Sequence, residues 1–322
     1  MELTVVTFFD LVRDGLQAVE AQLRTTIPAQ PEVLKVAISH LIEAGGKRLR
    51  PTLVLLAARL FDCEPEKAIC LAAAIETLHT ATLVHDDLID GSILRRGILT
   101  LNAQWSPATT VLTGDYLFAR AASFAAQTDS VSVLREFAHT LEVIINGELN
   151  QMFAGRGQAS REAYFERIYA KTAALFALAA QTAALLGCAD DAIGRDLYTF
   201  GREMGMAFQM MDDILDFTGD EARLGKPIGN DLRQGLFTLP ALYYLESKPD
   251  DRDMAALLKG SHNDWLVGRV AQAIRASGAI EAARCEAETY VARAQAALMR
   301  LPDNDYRRAL AAMADYVIRR DL

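Results

Sequence analysis

Two acidic clusters lie far apart in the chain and share one spacing: Asp86-Asp87-Leu88-Ile89-Asp90 and Asp212-Asp213-Ile214-Leu215-Asp216. Each follows a strongly apolar run of helical character. On a helix, residues i and i+4 share a face, so Asp86 goes with Asp90 and Asp212 with Asp216. Unscreened, such like-charge pairs repel by roughly 0.2–0.5 kcal/mol each. A chain that builds this twice beside apolar surface is expected to hold a cation. Few hard oxygen ligands, with room left for water and phosphate, suit Mg²⁺. The first cluster sits near a helix C-terminus, where acidic groups oppose the macrodipole and again ask for a cation. A solvated helix end is the plainer account of either cluster taken alone.

Other residues fit the same chemistry. Arg95 and Arg96 follow the first cluster inside a loop bounded by Gly91 and Gly97, and adjacent arginines beside a carboxylate-held metal make a clamp for a polyanion such as diphosphate. Gln209 lies three residues before Asp212, on its face. The loop Gly225-Lys226-Pro227-Ile228-Gly229 carries one lysine that would close over a phosphate. Gly45-Gly46-Lys47-Arg48-Leu49-Arg50-Pro51 is either a helix cap with basic residues or a second, metal-free phosphate site. Lys171-Thr172 interrupts an Ala-rich helix, so the lysine either snorkels or faces a polar cleft. Nucleotide-binding glycine motifs and HExxH are absent from the sequence, and no Ser-His-Asp set can be assembled. Metals, cations and carboxylates must carry the chemistry.

The elements that position these groups read as helices at about 5–25, 31–44, 50–61, 65–90, 107–127, 130–153, 160–187, 191–217, 238–246, 252–258, 264–276, 279–299 and 303–320. Alternating strand patterns are hard to find, and no long polar linker divides the chain. A single all-α domain over 1–322 is the expectation. With 322 residues, 51% hydrophobic, the chain can bury a large core. Its 33 basic and 42 acidic residues leave a net charge of −9, which argues against nucleic acid as a partner. The four cysteines are scattered without zinc spacing and read as reduced core residues, favouring a cytoplasmic location. No signal peptide is expected at the N-terminus, and no apolar run reads as long enough to span a bilayer.

Five motifs in order carry a resemblance: GGKRLRP at 45–51, LHTATLVHDDLIDGSILRRG at 78–97, Gly114-Asp115, Lys171-Thr172, and FQMMDDILDFTGD at 208–220 followed by GKPIGND. The chain resembles the trans-isoprenyl diphosphate synthases, or polyprenyl synthetases, of the medium- and long-chain type that makes heptaprenyl or octaprenyl diphosphate. That resemblance implies an antiparallel helical bundle around a central cavity, the isoprenoid synthase fold. It implies that Asp86, Asp90, Asp212 and Asp216 hold Mg²⁺, three ions once diphosphate is bound. Arg95, Lys171, Thr172, Gln209 and Lys226 would contact the allylic diphosphate, and Lys47, Arg50, His79 and Arg96 isopentenyl diphosphate. Asp86, Asp90, Lys171 and Asp212 would be catalytic. Cations would stabilise departing pyrophosphate, and an apolar cavity would shield the allylic carbocation until isopentenyl diphosphate attacks it. One departure from the family is Leu236, where a phosphate-contacting lysine is common.

Product length follows from the helix below Asp86. Thr82 lies about 6 Å, Leu78 about 12 Å and Ile75 about 16 Å down its axis. In the family a bulky aromatic at the positions of Ala81 or Thr82 stops growth early. Both residues are small here, which predicts a product longer than C20 with Leu78 or Ile75 at the floor. The resemblance implies a dimer, homomeric or heteromeric, and peripheral membrane contact for product release. The rival readings are a terpene cyclase, which usually lacks a second DDxxD, and a silent subunit of a heteromeric synthase, which often loses one. A phosphohydrolase is disfavoured by the lack of a histidine cluster or nucleophile.

Overall fold

The computed structural model describes residues 7–27, 31–43, 45–95, 97–153, 159–187, 190–219, 228–261 and 263–319. They are overwhelmingly helical. In chain order the helices are α1 (Arg13–Arg24), α2 (Glu32–Glu43), α3 (Leu49–Ala58), α4 (Pro65–Ile89), α5 (Leu101–Gln104), α6 (Pro107–Ala126), α7 (Val131–Phe153), α8 (Arg161–Ile168), α9 (Ala174–Leu186), α10 (Asp191–Thr218), α11 (Asn230–Arg233), α12 (Leu239–Ser247), α13 (Arg252–Leu258), α14 (Asp264–Ala276), α15 (Ala279–Ala297) and α16 (Asp305–Ile318). Starts follow local chemistry. Pro65 and Pro107 occupy first turns, and the hydroxyls of Ser106 and Ser160 accept from the amides of Thr109 and Ala163.

Contacts group the chain into two compact units. One comprises the described parts of Met1–Thr140, Leu175–Thr199 and Leu298–Met313. There α4 packs most extensively on α6 and also meets α1 and α3. The run Ala72-Ala73-Ala74 is fully buried, and Leu71, Ile75, Leu78, Leu53, Leu117 and Phe124 fill the core around it. The other unit comprises the described parts of Leu141–Ala174, Phe200–Ala297 and Ala314–Leu322. Its core gathers Phe200, Ile214, Phe217, Leu239, Met254, Val270 and Ile274, and α12 packs on α15.

Four expectations are corrected. First, the segment after Asp90 is not plain loop. Leu94–Arg95 and Ile98–Leu99 pair as a short antiparallel hairpin, β1 and β2, and α5 follows. Two-residue strands are too short to show alternation in sequence. Second, the helix expected across 160–187 holds one π turn at Tyr169–Ala173, where the Ala174 amide bonds the Tyr169 carbonyl. Third, two helices, Pro65–Ile89 and Arg161–Leu186, are long and apolar enough by composition to cross a membrane. Interleaved polar residues conceal this in a scan for unbroken apolar runs. Most of each apolar window is buried, 61% and 78%, as core helices are. Fourth, Cys63 and Cys70 are half-buried and Cys285 is exposed, so the three described cysteines are not core residues. Cys188 lies outside the described residues.

Candidate active site

The first acidic motif closes α4. Asp86 is half-buried, Asp90 exposed and Asp87 buried, so the i, i+4 pair looks outward while the middle carboxylate looks in. Asp87 receives Arg95 from β1: Nε lies 2.9 and 3.0 Å from its two oxygens, and Nη2 lies 2.8 Å away. The chain turns at Gly91, at positive φ, with the Ser92 amide on the Asp87 carbonyl at 2.9 Å, and this brings Arg95 of β1 back over the end of α4. Arg96 lies outside the described residues.

An open pocket lies beside the motif, lined by Arg48, Glu76, His79, Leu83, Asp87 and Arg95 among others. His79 and Arg95, assigned to different substrates by resemblance, share this cavity. Arg48 sits at positive φ just before α3 and reaches Glu20 (2.5 Å) and Glu76 (2.8 Å). Burial pulls its guanidinium down, but the two carboxylates outweigh that and hold it above its ordinary value. Lys47 is exposed, and Arg50, in the first turn of α3, lies over the Phe176 ring at 4.4 Å. Cations at a helix N-terminus oppose its dipole unless anions join them, and for Arg48 the carboxylates of Glu20 and Glu76 do so.

Gly114 of α6 holds the motif from behind. A Cβ there would lie 2.1 Å from His85 Nε2. The bare glycine lets His85 reach the Val111 carbonyl at 3.1 Å and approach Asp115 at 3.6 Å. A carbonyl only accepts, so Nε2 carries the proton. His85 also packs edge-on against Phe118.

In the second unit the motif lies near the end of α10. Asp212 and Asp216 are half-buried and Asp213 is buried, repeating the pattern. Asp216 accepts the amides of Asn230 and Asp231 at 3.2 Å each, capping α11. Asp213 accepts Tyr164 Oη at 2.7 Å and Gln209 Nε2 at 2.9 Å. Burial pushes its carboxyl up to about 7 although both hydrogen bonds pull it down. Burial likewise raises the Tyr164 phenol well above its ordinary value. Gln209 turns its carbonyl to Thr172 Oγ1 at 2.6 Å, so the threonine proton is committed and Thr172 keeps lone pairs for a ligand. Lys171 bonds Glu148 of α7 at 3.0 Å. Both Lys171 and Thr172 ride on the π turn, and π turns gather at functional sites. Lys226 lies outside the described residues. Leu236, in place of the usual lysine, donates its amide to the Asp231 carbonyl at 2.9 Å.

Of the length-setting candidates, Ile75, Leu78 and Ala81 are fully buried. Ala81 packs with Ala37 and Ile38 of α2 and Leu117 of α6, while Thr82 stays partly exposed and bonds the His79 carbonyl. Sequence reasoning missed Arg48, Glu76, Asp87, His85, Glu148, Asp213 and Tyr164. Asp87 and Asp213 were visible as the middle letters of the motifs. Glu148 and Tyr164 left no signal, because their partners lie 23 and 49 residues away.

Among the described residues no group of three or more His, Cys, Asp or Glu converges on one point. Each motif offers carboxylates from a single helix, which fits an ion whose shell is completed by water and substrate phosphate.

An all-α fold with two aspartate motifs, the first beside Arg95, fits a prenyl diphosphate synthase type of protein. The polyprenyl synthetase family profile matches residues 31–276, and the chain belongs to that family. It is 40% identical to heptaprenyl diphosphate synthase component 2 of Geobacillus stearothermophilus over 316 residues, 97% of this chain and 98% of that one. It is 35% identical to octaprenyl diphosphate synthase of Escherichia coli, again over 97% and 98%. The fold matches the crystal structure of a Caulobacter crescentus polyprenyl synthase complexed with calcium and isoprenyl diphosphate, with a TM-score of 0.92, 37% identity and 97% of each chain covered.

Proposed function

We propose that the chain is a Mg²⁺-dependent prenyltransferase that condenses isopentenyl diphosphate with an allylic diphosphate to give a trans-polyprenyl diphosphate longer than C20. One observation carries the reading: in both motifs the i and i+4 carboxylates reach solvent while the middle one is buried, as metal-facing pairs on rigid helices require. Asp86, Asp90, Asp212 and Asp216 would hold the ions, three with diphosphate bound. The ions would neutralise charge on the leaving diphosphate. Arg95 orients that group, assisted by Lys171 and Lys226, and Lys47, Arg50, His79 and Arg96 hold isopentenyl diphosphate. Thr172 and Gln209 enter this scheme differently from the remaining contacts. With its proton committed, Thr172 offers an acceptor that suits an allylic cation better than a phosphate oxygen.

The small side chains at Ala81 and Thr82 and the hepta- and octaprenyl relatives support a long product. On α7, Ile145, Leu149 and Met152 recur at helical spacing and stay exposed, and Phe153 is 82% exposed. We assign this stripe to a second copy of the chain, with 1–322 acting as one catalytic domain in the cytoplasm and touching membranes only to release product. The purified chain, incubated with Mg²⁺, isopentenyl diphosphate and farnesyl diphosphate, should give a ladder ending beyond C20 by mass spectrometry. No elongation from farnesyl, geranyl or dimethylallyl primers would refute a self-sufficient enzyme and favour a heteromeric one.

A further inference from the structure

Each acidic motif has one member unlike the other two. Asp87 and Asp213 are 7% and 4% exposed, and both oxygens of each are engaged by protein donors. Mg²⁺ keeps several of its waters and demands near-octahedral geometry. A carboxylate with almost no surface is poorly placed to enter such a shell; occupied oxygens alone do not decide it, because the half-buried Asp216 also accepts two backbone amides. What it does well is fix its partner. A guanidinium held through Nε and Nη2 has its plane set, and its remaining N–H groups are aimed elsewhere. An amide that must give its NH₂ to Asp213 can offer only its oxygen to Thr172, which sets which way the threonine hydroxyl points.

We infer that Asp87 and Asp213 are positioning residues rather than metal ligands: Asp87 aims Arg95 and Asp213, through Gln209, aims Thr172. The repetition is informative, because the two motifs use unrelated partners, a cation on a hairpin and an amide one turn back on the same helix, for the same purpose. This rests on the reading that Arg95 and Thr172 face the substrate.

The test is a pair of double-mutant cycles read by steady-state kinetics and Mg²⁺ titration, Asp87→Asn with Arg95→Met and Asp213→Asn with Thr172→Val. A lost charge-assisted contact predicts that Asp87→Asn raises KM for the allylic diphosphate about tenfold. The Mg²⁺ concentration at half-maximal rate should stay within about twofold of wild type, whereas Asp86→Asn raises it by about tenfold or more. In the Arg95→Met background Asp87→Asn should add nothing, and Asp213→Asn should likewise add nothing to Thr172→Val. Asp87→Glu, which keeps the charge, should recover part of the loss. The inference is overturned if Asp87→Asn shifts the Mg²⁺ requirement as far as Asp86→Asn, or if either cycle is additive. If wild type elongates no primer, the functional reading has failed, and the same cycles read by binding of inorganic pyrophosphate with Mg²⁺ decide the positioning role by the same non-additivity.

Discussion

Gly114→Ala is the sharpest single perturbation of the first motif. A new Cβ would sit 2.1 Å from His85 Nε2, 2.4 Å from Cδ2 and 2.8 Å from Cε1. Optimal contact between such atoms is about 3.5 Å, so the ring must withdraw by roughly 1.4 Å. Withdrawal breaks the bond to the Val111 carbonyl, worth about 0.5–1.5 kcal/mol net, and forces a side chain off its rotamer for about 0.5–1.5 kcal/mol more. Replacing glycine by alanine inside a helix contributes about 0.8–1.0 kcal/mol the other way. The balance is a loss of about 1 kcal/mol where helix propensity alone predicts a gain of that size, so the sign of the change is the test. His85 precedes Asp86, and a displacement near 1 Å at a reacting centre costs on the order of 10²-fold in rate. Urea denaturation and turnover should be measured for Gly114→Ala, His85→Ala and the double variant. In the His85→Ala background the clash is gone, and Gly114→Ala should become stabilising. A single variant that is stabilised and fully active, with no coupling to His85, would refute the packing argument.

Other outcomes follow from the same structure. Thr82→Phe, at a partly exposed position, should shorten the product ladder with little loss of stability, while Ala81→Phe should cost about 1–3 kcal/mol by overpacking the core it shares with α2 and α6, measured by mass spectrometry and denaturation. Gly147→Ala would place a Cβ 2.4 Å from that of Ala170, next to Lys171, and should lower kcat more than stability. Glu203 is 3% exposed, one of its oxygens lacks a hydrogen-bond partner, and burial raises its carboxyl above its ordinary value. The fold therefore takes up a proton there more readily than the unfolded chain, so stability falls as pH rises from about 4.5 through the raised value and then levels off. Glu203→Gln should remove that decline, and a variant with the wild-type slope between pH 4 and pH 7 in thermal melts would contradict it.

The sequence made the outward carboxylates legible because their spacing is a property of one helix. The Ala- and Leu-rich periodicity gave away the helices for the same reason. What escaped was everything that depends on a crossing. Arg95 meets Asp87 because the chain turns back at Gly91 into a strand too short for strand patterning. Lys171 meets Glu148, and Tyr164 meets Asp213, because separate helices happen to pack there, and no residue type announces a packing partner. The π turn escaped as well, since Tyr169-Ala170-Lys171-Thr172-Ala173 has ordinary helical composition and its longer hydrogen bonding is a tertiary outcome.

That turn makes the helix a vernier. One surplus residue advances the chain by about 100° without lengthening the helix by a full turn, so the side chains before it and after it are out of phase with a straight α-helix. Substitutions within 169–173 change groups one at a time. Removing a single residue would restore an uninterrupted ladder, which is locally favourable, yet it would turn Tyr164 about the helix axis, away from Asp213. The segment should therefore tolerate many changes of letter and almost no change of count, and drift in this family should be visible there as replacement but not as deletion.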